Sequence, residues 1–424
     1  MVRCKENLRE ISNEEQTYLD CVDGKVLRSD DSSERKFYFT TLEVVGIIWS
    51  IITFLFDTVM DIVVAYLHYT DGNIKYFILT TIFIIVPALT MTCFSIRWYL
   101  QDLRILEEAK IPKPSRLKWF ARSVLLTFQL GPVLRYVDSL IYGLKSRKKK
   151  DRTTEFYYQR MLFEDTDAAL LRLFEAFMEA APQLVLQIYI IVKKTPHDSD
   201  DTLTVVAQGL SILGSLLSLS WALAYYHRVL RLSLQSKQNI SWTGTILQIL
   251  WHFFIISARV LSLGLLATLS PIILGIACFC HWLIMTSWII SMKTRFCDTK
   301  FEEIFYNAVL GVIFIFCYFN PIDSPTRFRY TIYFIITFIE NTIIIAVWYN
   351  YVDPLPWFYL LAIFIVVLSF IIGIFFMVLY YLIFHPTGEI SMWRKTNILD
   401  QNNESVPKKI DAYSNSQIEE YVYF

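Results

Sequence analysis

Apolar residues in this chain come in long runs, and within several of them polar residues return at steps of three or four. Runs of about twenty apolar residues suit a helix crossing a hydrocarbon core. They fall near 42–69, 75–99, 168–192, 202–226, 240–268, 270–292, 327–352 and 357–384. Eight transmembrane helices are therefore predicted. Two more apolar stretches, 117–144 and 301–320, behave differently. The first lies between basic flanks at 97–122 and "KSRKKKDR" (145–152), the second between "MKTRFCDTK" and "SPTRFRY". Lysine and arginine mark the cytosolic side, so a segment basic at both ends does not cross. Each is read as a re-entrant helix that dips in and returns, which is allowed where protein covers its broken backbone. The first should turn near Gly131 and Pro132.

The order of two spans, a re-entrant piece and two spans thus occurs twice, with both termini in the cytosol. The fold class is an all-α polytopic membrane protein arranged as a tandem parallel repeat. Its parts are a cytosolic segment 1–41, a first membrane repeat 42–234, a second 235–384 and a cytosolic tail 385–424. A sequence echo agrees. "FMEAAPQL" after the first re-entrant piece matches "FIENTIII" after the second, aligning Glu179 with Glu340, and "IIWSIITFLFD" resembles "QILWHFFIISAR", setting Asp57 against Arg259.

The polar interruptions fall on faces. At about 100° per residue, Glu175, Glu179, Gln183 and Gln187 form one slanting stripe with Arg172 inside it. Glu43, Ser50, Thr53, Asp57, Asp61 and His68 share a face of the first span. Ser241, Thr245, Gln248, His252, Arg259 and Ser262 do so in the fifth. A charge at mid-bilayer costs about 2.5–3.5 kcal/mol on insertion scales, so these groups must be paired, hydrated or used. Static pairs of Asp57 or Asp61 with Arg259, and of Glu175 or Glu179 with Arg172, would satisfy part of the set. Five mid-span acids (Asp57, Asp61, Glu175, Glu179, Glu340) against two arginines leave a surplus that packing does not require. With Glu175 nearer the cytosol and Asp61 and Arg259 nearer the outside, the surplus suggests a polar track across the membrane.

Composition narrows the chemistry. The 424 residues are 55% hydrophobic and have zero formal net charge, which argues against nucleic acid as a partner. The seven cysteines show neither zinc spacing nor a disulfide framework, and Cys278 with Cys280 reads as helix packing. The charged start "MVRCKENLRE" lacks a short apolar core, so no cleaved signal peptide is expected. No Walker loop, aspartyl-phosphate motif or metal-ligand cluster is present, so no cofactor is expected and transport would run downhill. A zwitterionic solute with a phosphate and an amine would need cations for the one and acids or amides for the other. Arg172 and Arg259 suit the first task, and Asp57, Asp61, Glu175 and Glu179 the second. No bond is made, so the chain reads as a non-enzyme.

"EAAPQLVLQIYI" (179–190) closely resembles the E-x-A-P-Q-L-x-L-Q signature of the XK-related membrane proteins, and the acidic first span resembles theirs as well. The likeness covers about residues 40–385. It implies eight spans with two re-entrant helices. For several members it also implies phospholipid scrambling at the plasma membrane, which exposes phosphatidylserine on dying cells for engulfment after a caspase cuts a cytosolic tail. Other members lack that switch, and some are partners of lipid-transfer proteins. Here the chain carries "YLDCVDGK", in which Asp20, Cys21, Val22 and Asp23 form a D-x-x-D followed by Gly24, the pattern executioner caspases cut after. An amino-terminal site resembles the nematode cell-death member of the family. Asp400 and Asp411 in the other tail lack the upstream acid. The expected partners are phospholipids including phosphatidylserine, an executioner caspase, and an accessory membrane subunit or a second copy. The alternatives are a solute transporter using the same charges, or a non-transporting anchor for a lipid-transfer protein that binds through the tails or the 145–167 loop.

Overall fold

A computed structural model describes residues 39–108, 116–128, 130–148, 153–193, 202–233, 240–294, 296–297, 299–320, 327–352 and 359–384, and among them every regular element is helical. Eight helices are long and apolar enough to cross a membrane. The chain is a multi-pass membrane protein.

Helix α1 (Thr41–Thr70) starts at a capping box: Thr40 N–H donates to Glu43 Oε2 at 2.6 Å, and Glu43 N–H donates to Thr40 Oγ1 at 3.2 Å. This reciprocal pair satisfies two otherwise orphaned donors. It also commits Glu43 to the helix end, away from the seam. Val45, Trp49, Ile52, Phe56, Val59 and Tyr66 face outward from the bundle, a contiguous apolar surface suited to lipid contact.

After a tight turn in which Gly72 takes φ 74°, α2 (Ile74–Glu108) returns. Helices α3 (Arg116–Thr127) and α4 (Gly131–Lys148) are broken just ahead of Gly131 and Pro132, where the sequence places the turn. Pro132 loses nothing in the first turn of α4, whose N–H groups have no helical acceptor. Gly131 is needed for proximity, since a Cβ there would lie 2.5 Å from Ser95 Oγ on α2.

Helix α5 (Thr153–Glu175) continues through a π-helical turn (Ala176–Ala180) into α6 (Ala181–Lys193). Sequence reading starts this span at 168 and treats 145–167 as a loop. The structure corrects that, because α4 is helical to Lys148, α5 begins at Thr153, and Arg160, Met161, Leu162, Glu164 and Asp165 are buried. The polar residues that lower hydropathy here pair with one another instead of with water. The π turn has a local cause. Pro182 has no N–H and its ring crowds the carbonyl four residues back; widening the preceding turn, with Ala181 N–H donating to Ala176 O, relieves both. The extra residue rotates α6 by about 100° relative to α5. Pro182→Ala is expected to restore an ordinary turn and to rotate α6 back by about 100° relative to α5, without lowering the unfolding midpoint of the purified protein.

Helix α7 (Thr202–Ser233) closes the first half and leads to α8 (Trp242–Leu269), which is buried over most of its length, and then to α9 (Pro271–Ser291). Helix α10 (Lys300–Phe314) is capped by Thr299 and is followed by a buried non-helical stretch, Ile315 to Phe319. It crosses α9 at Gly311, where a Cβ would lie 2.1 Å from Thr286 Oγ1. Small residues permit such approaches where lipid removes any hydrophobic drive between helices. Helices α11 (Arg327–Tyr351) and α12 (Tyr359–Leu379) come last, and α12 ends in a second π turn, Tyr380–Phe384. Arg97 on α2 joins Glu302 on α10 at 2.6 Å, and Phe94 stacks on Phe305 beside it.

Helix directions are set by the pairs. Asp57 meets Arg172 and Asp61 faces Glu179, so α1 runs parallel to α5–α6. Arg259 meets Glu340 and Thr268 meets Trp348, so α8 runs parallel to α11 in the same way. Residues 1–38 and 385–424 lie outside the described residues, and the D-x-x-D stretch with Asp20, Asp23 and Gly24 lies with them.

Candidate functional site

The α5–α6 rod carries polar groups at successive heights. Lowest is a buried ionic cluster. Arg135 of α4, 0% exposed, directs Nη1 to Glu164 at 2.6 Å and to Asp102 and Asp167 at 3.3 Å each. Its guanidinium lies 3.9 Å from the centre of the Tyr99 ring, so aromatic faces supply part of the solvation that burial removes. Arg160 adds contacts to Asp102 at 3.8 Å and Glu164 at 3.6 Å. Nearby, Arg122 pairs with Asp138 at 2.5 Å, and the Tyr99 hydroxyl donates to the same carboxylate. Sequence reasoning misses this cluster. The readable signal is the spacing of Arg160, Glu164 and Asp167, at i, i+4 and i+7, which places all three on one helix face.

One to two turns higher, Arg172 joins Asp57 across the α1 interface and Glu175 at 2.6 Å on its own helix. Phe54 lies under the guanidinium, 5.7 Å away. The exposure is graded: the Asp57 side chain is 46% exposed, Arg172 19% and Glu175 9%. The centre is therefore open on the α1 side and closed on the other. Next come Glu179, buried in the π turn, and Asp61 and Gln183, which face it. No cation pairs with Glu179 or Asp61 among the described residues. Gln183 Nε2 is buried without a well-formed hydrogen bond. At the top, Gln187 Nε2 approaches Ser211 Oγ of α7 at 3.4 Å. From Arg160 to Gln187 the rise is roughly 40 Å, at about 1.5 Å per residue, against ~30 Å of hydrocarbon.

Arg259 and Glu340, included in the track by sequence, stand apart from it. Arg259 Nη2 donates to Glu340 Oε2 at 2.6 Å, Nη1 to Asn341 Oδ1 at 3.0 Å, and Nε to the carbonyl of Ile315 at 2.8 Å. His281 completes this second centre. No ion pair or hydrogen bond joins the two centres among the described residues. The expected pairing of Asp57 or Asp61 with Arg259 is not found. Each half instead has its own acid–arginine pair between parallel helices, with the polarity exchanged: acid on α1 and arginine on α5, arginine on α8 and acid on α11. The alternative pairing of Arg172 with Glu175 is present, and Glu179 is left to face Asp61. On the fifth-span face, Ser241 caps α8 and Thr245 bonds back to Ser241 O, while Gln248 Oε1 and His252 Nε2 are buried without partners. No group of three or more His, Cys, Asp or Glu that could hold a metal occurs among the described residues.

The family model for XK-related proteins matches residues 45–386, nearly all of the helical region. The chain belongs to the XK-related family. It is similar to XK-related protein 8 of Tetraodon nigroviridis, 27% identical over 366 residues that cover 84% of this chain and 86% of that one. It is also similar to XK-related protein 8 of Gasterosteus aculeatus, 29% identical over 350 residues that cover 81% and 82%. The matched span in this XK-related chain holds both charged centres and the buried cluster beneath them.

Proposed function

We propose that this protein is a phospholipid scramblase. Headgroups, phosphatidylserine among them, pass downhill along the seam between α1 and α5–α6 while the acyl chains stay in lipid. The observation that carries this reading is the graded opening of the Arg172 centre beside an apolar outer face: Asp57 is nearly half exposed where it borders the rows of α1 that face outward. Arg172 is suited to a phosphate, and Asp57, Glu175, Glu179 and Asp61 to an amine. The lower cluster anchors the rod, its charges being mutually neutralised and closed to a passing headgroup. The helix–break–helix of α3–α4 and the helix and buried return of α10 suit re-entrant pieces whose backbone is covered by protein.

The test is reconstitution of the purified full-length protein in vesicles holding a fluorescent phospholipid. Dithionite bleaches only the outer leaflet, so bleaching beyond about half reports transfer. Bleaching that stops at half would favour the anchor reading, and solute uptake without lipid mixing would favour the transporter.

The switch is part of the same proposal. In the plasma membrane of a dying cell, an executioner caspase cutting after Asp23 would remove residues 1–23 and release a restraint on the cytosolic side of the seam, so that exposed phosphatidylserine promotes engulfment. Caspase treatment is expected to release a fragment ending at Asp23 and to speed lipid mixing several-fold, and Asp23→Ala to block both. Cleavage near Asp400 with activation in the Asp23→Ala protein would move the switch to the carboxyl tail.

A further inference from the structure

Both ring nitrogens of His281 face oxygen acceptors. Nε2 lies 3.0 Å from the carbonyl oxygen of Phe314, and Nδ1 lies 2.8 and 2.9 Å from the two carboxylate oxygens of Glu340, with the Arg259 Nη2 donor at a longer 3.4 Å. A carbonyl has no proton to give, so the short Nε2 contact requires the proton on Nε2. An ionised carboxylate also only accepts. A bare Nδ1 lone pair held against it would be repulsive, so a second proton lies between ring and carboxyl. It makes either an imidazolium beside a carboxylate or a neutral imidazole accepting from a carboxylic acid. Arg259 stays charged in both arrangements, and the three groups sum to one positive charge either way.

We infer that Arg259, His281 and Glu340 form a proton-binding site built into the second half of the membrane domain. The neighbouring helices show why an excess positive charge is stable there. Helix α10 ends at Phe314, and the last carbonyls of a helix lack partners and carry its negative partial charge. His281 Nε2 and the Tyr333 hydroxyl donate to Phe314 O, and Arg259 Nε donates to Ile315 O. The cationic centre is thus the cap of α10, and its proton holds His281 in the capping position. The other groups facing the centre are Asn341 and Tyr333 from α11 and the Cys278 thiol from α9; α10 contributes backbone carbonyls only. Glu340 is 31% exposed while its two partners are closed off, at 3% and 2%. It is the side from which the proton enters and leaves. Because Glu340 is already bonded to both Arg259 and His281, it is not free to receive an amine, which separates this site from the seam of the first half and makes the inference independent of lipid transport.

The test is spectroscopic, so that the titrating acids of the first half do not confuse it. Full-length protein with ¹⁵N-labelled histidine, six residues in all, is reconstituted in lipid. Ring-nitrogen resonances and the infrared band of protonated carboxyls are then tracked as pH is raised through and beyond the ordinary histidine range, about 6.5. Glu340→Gln is the diagnostic variant. Its amide N–H can donate to the Nδ1 lone pair and its amide oxygen can accept from Arg259, so the hydrogen bonds persist and the extra proton leaves. The wild type is expected to show one doubly protonated histidine or one protonated carboxyl that depends on both residues; either signal should be absent in Glu340→Gln, with the ring then in the neutral Nε2–H form. Loss of the same signal in His281→Asn assigns it independently, should the first variant fold poorly. If no histidine or carboxyl signal at any pH is removed by either variant, the inference is overturned.

Discussion

If headgroups follow the proposed seam, Glu179→Gln is expected to slow lipid mixing in reconstituted vesicles by about tenfold or more while leaving the protein at least as stable. The two halves of this expectation have separate causes. Glu179 is buried in the π turn facing the carboxyl of Asp61, and no cation pairs with it among the described residues. An amide can donate to Asp61 and cannot place a second negative charge beside it, so yield and unfolding midpoint should hold or rise. A passing ammonium group, by contrast, loses a charge-assisted hydrogen bond, worth about 1.5–3 kcal/mol against ~0.5–1.5 for a neutral one. A difference of ~1.4 kcal/mol is tenfold in rate. Asp57→Asn should slow mixing as well, but with some loss of stability, because Arg172 then keeps only Glu175. Wild-type mixing by a well-folded Glu179→Gln protein would remove the seam from the mechanism.

Arg135→Met produces the largest structural effect. Three carboxylates, Glu164, Asp102 and Asp167, converge on one nitrogen of a fully buried guanidinium. Without it, among the described residues Asp102 and Glu164 retain Arg160, at 3.8 and 3.6 Å. Breaking a buried ionic group by removing one partner costs about 3–5 kcal/mol, since the others are left uncompensated, and that is a large share of a domain's ~5–15 kcal/mol. The variant is expected to lose most of its monodisperse peak in size-exclusion chromatography and to unfold at a clearly lower temperature. Arg135→Lys should fall between, because it keeps the charge but not the planar face that lies on Tyr99. A wild-type midpoint for Arg135→Met would show that the cluster is not an anchor.

Features that depend on local periodicity were legible in the sequence. Eight apolar runs became eight helices because backbone groups in hydrocarbon must be satisfied within their own segment, so run length alone decides. The break ahead of Gly131 and Pro132 was legible for a similar reason, as was the spacing of Arg172 and Glu175 on one face, whereas the π turn that rotates Gln183 relative to Glu175 was not. Tertiary structure decided the partners. Arg172 had five acids to choose from, and only the parallel packing of α1 on α5 assigns it Asp57 while α11 assigns Glu340 to Arg259. His281 stands alone in an apolar run, and only the carboxyl end of α10 packed against it turns it into a cap. The start of α5 was misplaced because hydropathy counts each charge as if it met water or lipid, whereas Arg160, Glu164 and Asp167 meet charges from α2 and α4. The common reason is that periodicity is a property of one helix, whereas the energy of a buried charge is set by the other helices that surround it.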